Sequence, residues 1–229
     1  MDAAFVLMHS PSVGPATWTP VAERLRSAGA TVAIPSLLDV ADAPAPFWPR
    51  VVELVRSAID DLPADRPVVL AAHSNAGLFV PLIVEAAGPP VAGCVFVDAA
   101  LPARSEATPV APPELLEMLQ GKVADDGRLP PWTAWWDDSD VAPMFPDPET
   151  RRLVEAEQQR LPLAYYQQMI PVPPGWDRRP CSYLLFGPPY DEVAEDARRR
   201  GWKVTHIPGE HLHEIVDPDT VAEYLLAAG

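Results

Sequence analysis

One stretch of the chain, residues 68–78, restricts the possible fold more than any other. It reads VVLAAHSNAGL. The first half is apolar without alternation, which is typical of a strand buried on both faces, and the second half suits a helix. A turn tight enough to join them strains its central residue and tolerates only small neighbours. Ser74 stands at this turn, with Ala72 and Ala76 two residues to either side. We therefore predict a strand, a sharp turn with a projecting serine, and a helix.

The same alternation of strand and helix continues on both sides of this unit. It indicates a doubly wound, mostly parallel α/β sheet of about six core strands with helices on both faces. Ligands bind such sheets at the carboxyl ends of the strands, so the Ser74 turn lies where a site is expected. The predicted strands are residues 3–9, 31–34, 67–73, 91–97, 181–186 and 203–207, and the predicted helices are 18–28, 46–61, 75–87, 191–200 and 217–228.

The alternation of strand and helix stops between residues 100 and 178, where no strand is evident and prolines separate short helical patterns. These patterns fall at residues 113–120, 131–137, 147–160 and 162–169. Aromatic residues concentrate here: Trp132, Trp135, Trp136, Phe145, Tyr165, Tyr166 and Trp176. We predict that residues 1–99 and 179–229 form the core and that residues 100–178 form a helical cap inserted into the same domain.

Composition excludes several classes of function. A net charge of −15 argues against partners that are nucleic acids or anionic membranes. No phosphate loop or metal-ligand spacing is present, so we expect no cofactor and no metal. Cys94 and Cys181 suit reduced, structural thiols. No leader or membrane-spanning run is evident. We therefore expect a cytoplasmic protein that binds a small-molecule substrate, in an oligomeric state that the sequence does not indicate.

The segment Ala72-His73-Ser74-Asn75-Ala76 resembles the nucleophile elbow of the α/β-hydrolase superfamily, with Ala where Gly is commoner. The segment from His9 to Trp18 is similar to its methylesterase/hydroxynitrile-lyase branch, including the interval from His to Trp. The resemblance implies a small capped serine hydrolase in which Ser74 is the nucleophile. It also implies that the catalytic residues follow in the chain order serine, acid, histidine.

The resemblance assigns the base and the acid to the C-terminal part of the chain. His211 is the expected base, because it follows the last strand and precedes the final helix, and His213 is the alternative. Asp191 is the expected acid, because it follows the strand after the cap. Asp98, at the end of the strand after the nucleophile helix, is the alternative acid.

The resemblance also locates the donors that would hold an oxyanion. One is the N–H of Asn75, the residue after the nucleophile. The other would come from the loop after the first strand, but Pro11 stands at that position and has no N–H. Three explanations stay open: the Ser12 N–H donates instead, a hydroxyl of Ser10 or Ser12 donates, or the reaction develops little oxyanion charge.

The first functional hypothesis is an esterase, lactonase or thioesterase acting on a small, fairly apolar carbonyl substrate. The alternatives are lyase, isomerase or cyclase chemistry with the same triad, or ligand binding without catalysis. Candidate substrate contacts are the Asn75 side chain beside the nucleophile and three cap aromatics: Trp132, Trp136 and Tyr165.

Overall fold

The computed structural model describes residues 3–88 and 90–229. Six parallel strands form the main sheet in the order β2-β1-β3-β4-β7-β8, and β5 and β6 form a separate antiparallel pair. The predicted α/β sheet of six core strands is confirmed. The strand bounds are β1 Ala4–Met8, β2 Thr31–Ala33, β3 Val68–His73, β4 Val91–Val97, β5 Ala107–Pro109, β6 Met169–Pro171, β7 Cys181–Leu185 and β8 Lys203–His206.

Ten α-helices accompany these strands within the described residues. Ser74–Phe79 forms a 3-10 helix that leads directly into the α-helix Val80–Ala87. The predicted helix 75–87 therefore begins with a tighter turn than expected. The helix bounds are α1 Thr19–Ser27, α2 Trp48–Asp60, α3 Val80–Ala87, α4 Pro113–Gln120, α5 Asp138–Val141, α6 Pro148–Ala156, α7 Leu163–Tyr166, α8 Asp191–Arg199, α9 His213–Val216 and α10 Pro218–Ala228.

The hydrophobic core lies on both faces of the main sheet because strand side chains alternate between the faces. On one face, Phe5 and Leu7 of β1 pack in a cluster with α1 and α10. On the other face, Val6 and Met8 pack in a cluster with α2 and α3. Full burial of each large apolar side chain contributes about 1.5–3 kcal/mol, as an upper estimate. Both faces are covered, which explains why the strands read as continuous apolar runs.

The segment between β4 and β7 contributes no strand to the main sheet in the described part of the chain. Its short helices fall close to the predicted positions, but the expectation of no strand there is wrong. Residues Ala107–Pro109 and Met169–Pro171 pair as β5 and β6. Each strand has only three residues and carries a proline, so its sequence has too little alternation to reveal it.

The segment predicted as a cap, residues 100–178 (the cap segment), is tied to the core by two partly buried side-chain acceptors. Gln168 Oε1 accepts hydrogen bonds from the N–H groups of Phe47 and Trp48 at 2.9 and 3.2 Å. Glu157 Oε2 accepts from the Ala16 N–H at 2.7 Å. These bonds join the cap segment to the loop after β1 and to the start of α2. No helix in the parts of the chain that the structure describes is long and apolar enough to cross a membrane.

Gly77 provides a test of how tightly the Ser74 turn is packed. A Cβ atom at this position would lie 2.2 Å from the carbonyl oxygen of Ala100. We expect Gly77→Ala to lower the free energy of unfolding by about 1–3 kcal/mol, because backbone must move to admit the methyl group. The matched control is Gly121→Ala, whose nearest contact of 3.4 Å is ordinary. Chemical denaturation of both variants measures the difference, and equal stabilities would contradict the packing described.

Candidate active site

Ser74 occupies the predicted turn between β3 and the helix, in a strained backbone conformation. Its φ is +58°, in the left-handed region that residues other than glycine seldom adopt. Ala72 and Ala76 are fully buried beside it. Such strain costs on the order of 1–3 kcal/mol and persists only where surrounding packing imposes it. Here the strand and the helix fix both ends of the turn, and the Ser74 hydroxyl projects from the carboxyl edge of the sheet.

Ser74, His211 and Asp98 form one chain of hydrogen bonds. Ser74 Oγ lies 3.0 Å from His211 Nε2, and His211 Nδ1 lies 2.7 Å from Asp98 Oδ2. An ionised carboxylate only accepts hydrogen bonds, so Nδ1 carries the proton and Nε2 accepts from the serine hydroxyl. The His211 side chain is 10% exposed and that of Asp98 is 1% exposed. This arrangement prepares Ser74 Oγ to lose its proton to the imidazole.

The acid in this chain is Asp98, and the preference for Asp191 is therefore corrected. Asp98 has a φ of +42° at the end of β4, and its Oδ1 accepts from the Phe186 N–H at 2.9 Å. Asp191 is exposed in the first turn of α8. The loop after β7 turns so that Tyr190, the preceding residue, faces the imidazole instead.

Aromatic rings surround the His211 imidazole. The Tyr190 ring stacks on it with centroids 5.0 Å apart and an interplanar angle of 9°, and Trp132 lies 6.0 Å away. Burial raises the pKa of Tyr190 to about 12, and contact of its hydroxyl with that of Ser74 acts in the opposite direction. Tyr190 was not predicted as a site residue. The sequence signal that could have indicated it is its position directly before Asp191, at the end of the loop after β7.

The loop after β1 lies beside the Ser74 turn because β1 and β3 pair in register up to Met8 and Ala72. Both ring nitrogens of His9 hold this loop: Nδ1 donates to the Ser10 carbonyl oxygen and Nε2 accepts from the Leu37 N–H. Burial lowers the pKa of His9 to about 4, which keeps this ring neutral. Pro11 follows Ser10 and has no N–H to offer.

Two hydroxyl groups of this loop, those of Ser10 and Ser12, cluster with the hydroxyl of Tyr166. Ser12 Oγ lies 2.6 Å from the Tyr166 hydroxyl, and Ser10 Oγ donates to Ser12 Oγ at 3.4 Å. The Ser12 N–H donates to Ser10 Oγ at 3.3 Å, so this N–H already has a partner. The cluster is buried, and Ser12 links the first loop of the core to the cap.

The other residues predicted for the site differ in their surroundings. The Asn75 side chain has both of its polar atoms in use, because Oδ1 accepts from the Tyr165 hydroxyl at 2.5 Å and Nδ2 donates to the Val110 carbonyl oxygen at 3.2 Å. These bonds join the Ser74 turn to the cap segment, and the predicted substrate contacts of the Asn75 and Tyr165 side chains stay predictions. Trp136 is 41% exposed, and its predicted contact with substrate stays a prediction. His213 packs against Phe186 and contacts neither Ser74 nor Asp98 among the bonds observed.

No three His, Cys, Asp or Glu side chains in residues 3–88 and 90–229 come together as a metal-binding group.

Comparison with known proteins identifies the family of this chain. The profile of the alpha/beta hydrolase family matches residues 5–224, which is nearly the whole chain. The chain belongs to the alpha/beta hydrolase family. The resemblance found at the Ser74 turn is thereby confirmed. No curated protein is similar enough in sequence to be matched with this hydrolase.

Several solved structures share the fold at low sequence identity. An extracellular alpha/beta-hydrolase from a Paenibacillus species is 18% identical, with a TM-score of 0.75 and 99% of both chains covered. Polyneuridine aldehyde esterase is 18% identical, with a TM-score of 0.74 over 99% of both chains. A variant of tomato methylketone synthase I complexed with beta-ketoheptanoate is 14% identical, with a TM-score of 0.70, over 99% of this chain and 97% of that one. At this identity the likeness establishes the fold alone.

The choice between Asp98 and Asp191 has a direct spectroscopic test. A proton held between His211 Nδ1 and a carboxylate 2.7 Å away gives a strongly downfield NMR resonance. We expect this resonance in the native protein and in Asp191→Asn, and its loss or large upfield shift in Asp98→Asn. If Asp191→Asn removed it and Asp98→Asn did not, the assignment of the hydrogen bond would be wrong.

Proposed function

We propose that the protein is a serine carboxylic-ester hydrolase that acts on a small, fairly apolar ester, lactone or thioester. The observation that carries this proposal is the continuous chain from Ser74 Oγ through His211 to Asp98, at distances of 3.0 and 2.7 Å. A nucleophile bonded to a base that is oriented by a buried acid is the arrangement required for acyl transfer.

In the proposed reaction, Ser74 Oγ attacks the substrate carbonyl carbon while His211 Nε2 takes its proton. Asp98 keeps the proton on Nδ1 and stabilises the imidazolium that forms. The imidazolium then protonates the leaving oxygen or sulfur, and an acyl group stays on Ser74. A water molecule, deprotonated by His211, attacks that acyl group and releases the carboxylic acid. The rings of Tyr190 and Trp132 would border the leaving group and exclude bulk water.

The oxyanion would be held by two donors on opposite sides of the carbonyl oxygen. The first is the Asn75 N–H, near the start of the 3-10 helix, where N–H groups have no partner within the helix. For the second we propose the Ser12 hydroxyl. If Tyr166 and Ser10 both donate to Ser12 Oγ, as their distances allow, the Ser12 proton is left for the substrate. A hydroxyl would then replace the N–H that Pro11 lacks.

The proposed substrate class rests on the aromatic surroundings of His211 and on the name of one structural neighbour, polyneuridine aldehyde esterase. The described residues add no feature that favours the lyase, isomerase, cyclase or ligand-binding alternatives. The cytoplasmic location stays a prediction.

Turnover of a panel of short p-nitrophenyl esters tests the proposed function. We expect Ser74→Ala to abolish turnover and Asp98→Asn to lower kcat by about 10³–10⁴-fold, because the imidazole loses its oriented tautomer. Asp191→Asn is the matched control and should keep kcat within about twofold, since its carboxylate is exposed. Turnover that survives in Ser74→Ala would overturn the proposal.

Substitution of Ser12 tests the second oxyanion donor. We expect Ser12→Ala to lower kcat by about 10²-fold with little change in KM, because the donor acts mainly on the charge of the transition state. Tyr166→Phe keeps the ring and removes only the partner hydroxyl, so a loss of about tenfold is expected. If Ser12→Ala kept its kcat within about threefold of the native value, another group would supply the second donor.

A further inference from the structure

A second histidine and a second carboxyl group are buried behind the catalytic base. His73 and Glu214 have side chains that are 1% and 0% exposed, and His73 Nδ1 lies 3.3 Å from Glu214 Oε1. No hydrogen bond with good geometry satisfies His73 Nδ1 or either Glu214 oxygen among the described residues. Buried polar groups in this state are costly, so the contact between them needs a physical explanation.

The other nitrogen of His73 reaches the backbone of the base itself. His73 Nε2 lies 2.8 Å from the carbonyl oxygen of His211. The two imidazole rings are tilted by 34° with centroids 4.6 Å apart. His73 therefore contacts His211 through both its hydrogen bond and its ring, while Glu214 lies three residues beyond His211 at the start of α9.

Proton counting limits the states of this pair. A carbonyl oxygen only accepts, so His73 Nε2 must carry a proton and donate it. In a neutral imidazole, Nδ1 is then an acceptor. Two acceptors cannot stabilise each other, so the contact between Nδ1 and Oε1 is stabilising only if one proton lies between them. It resides either on Glu214, which makes both groups neutral, or on His73, which makes an ion pair.

The surroundings favour the neutral arrangement. Burial lowers the pKa of His73 well below its usual value, and the neighbouring His211 and His9 act in the same direction. Burial raises the pKa of Glu214 well above its usual value, and the charge of Asp98 adds to this. The groups that face His211 are Ser74, Asp98, Tyr190, His73 and the ring of Trp132. Only Asp98 among them is charged in this arrangement.

We propose that Glu214 is a protonated carboxylic acid whose hydroxyl donates to His73 Nδ1, and that the His73–Glu214 pair is a neutral brace that positions His211. This inference rests on the proposed function only in making His211 a catalytic base. The brace holds the loop that carries His211, because His73 Nε2 donates to the carbonyl oxygen of His211. It also keeps a positive charge off His73, at 4.6 Å from the ring that must become an imidazolium.

Two substitutions of Glu214 separate the role of its proton from that of its bulk. Glu214→Gln keeps a donor for His73 Nδ1, so kcat, KM and the pH profile of kcat should stay within about twofold of the native values. Glu214→Leu keeps most of the volume but removes the donor. We expect kcat to fall about tenfold with KM within about twofold, and the acidic limb of the pH profile to shift, because His73 is left free to change tautomer or to bind a proton beside His211.

Infrared spectroscopy tests the proton on Glu214 without any substrate. The native spectrum minus that of Glu214→Gln at pH 8 should contain the C=O band of a protonated carboxyl group. The control is Glu223→Gln on the exposed side of α10, for which the same subtraction should give only carboxylate bands. The native protonated band should also persist between pH 5 and pH 8, which needs no variant.

Three results would overturn this inference. Carboxylate bands in place of the protonated band would show that the pair is ionic. Equal losses of kcat in Glu214→Gln and Glu214→Leu would show that a donor at this position is not what matters. Native kcat and an unshifted pH profile in Glu214→Leu would remove the positioning role. Since the infrared result does not depend on turnover, failure of the ester-hydrolase proposal would be recognised separately, by the absence of ester turnover in the native protein.

Discussion

The Asp98 carboxylate is the point on which the arrangement of the site depends. One of its oxygens accepts from the Phe186 N–H at the end of β7, and the other accepts from His211 Nδ1. A single buried charge therefore joins the ends of two strands to the loop that follows β8. A buried carboxylate is tolerated only where it is hydrogen-bonded on each side. The position of His211 relative to Ser74 follows from where the sheet places this carboxylate.

The cap and the core share the groups next to the nucleophile. The Asn75 side chain binds a tyrosine hydroxyl and a carbonyl oxygen of the cap, and the Ser12 hydroxyl contacts another cap tyrosine. Asn75 and Ser12 thus join the core to the cap segment beside Ser74. Movement of the cap would alter the donors around the substrate carbonyl as well as access to the site. Buried polar networks of this kind are rigid when every member has a partner.

Sequence patterns predicted the elements of the core and the Ser74 turn because local signals determine both. Apolar runs indicate buried strands, and small residues around Ser74 indicate a strained turn. The acid was misassigned because Asp98 and Asp191 each follow a strand, and only the path of the loop after β7 distinguishes them. The bonds of the Asn75 side chain could not be predicted for a similar reason: their partners, Tyr165 and Val110, lie far away in the chain, where periodicity carries no information.

Covalent labelling measures most directly whether the Ser74 hydroxyl is an activated nucleophile, as we propose. The native protein would be treated with a fluorophosphonate, digested and mapped by mass spectrometry, with His211→Ala treated in parallel. We predict one phosphonyl group, on Ser74, and labelling that is slower by orders of magnitude in His211→Ala. Labelling on Ser10 or Ser12, equal labelling in His211→Ala, or no labelling of the native protein would contradict it.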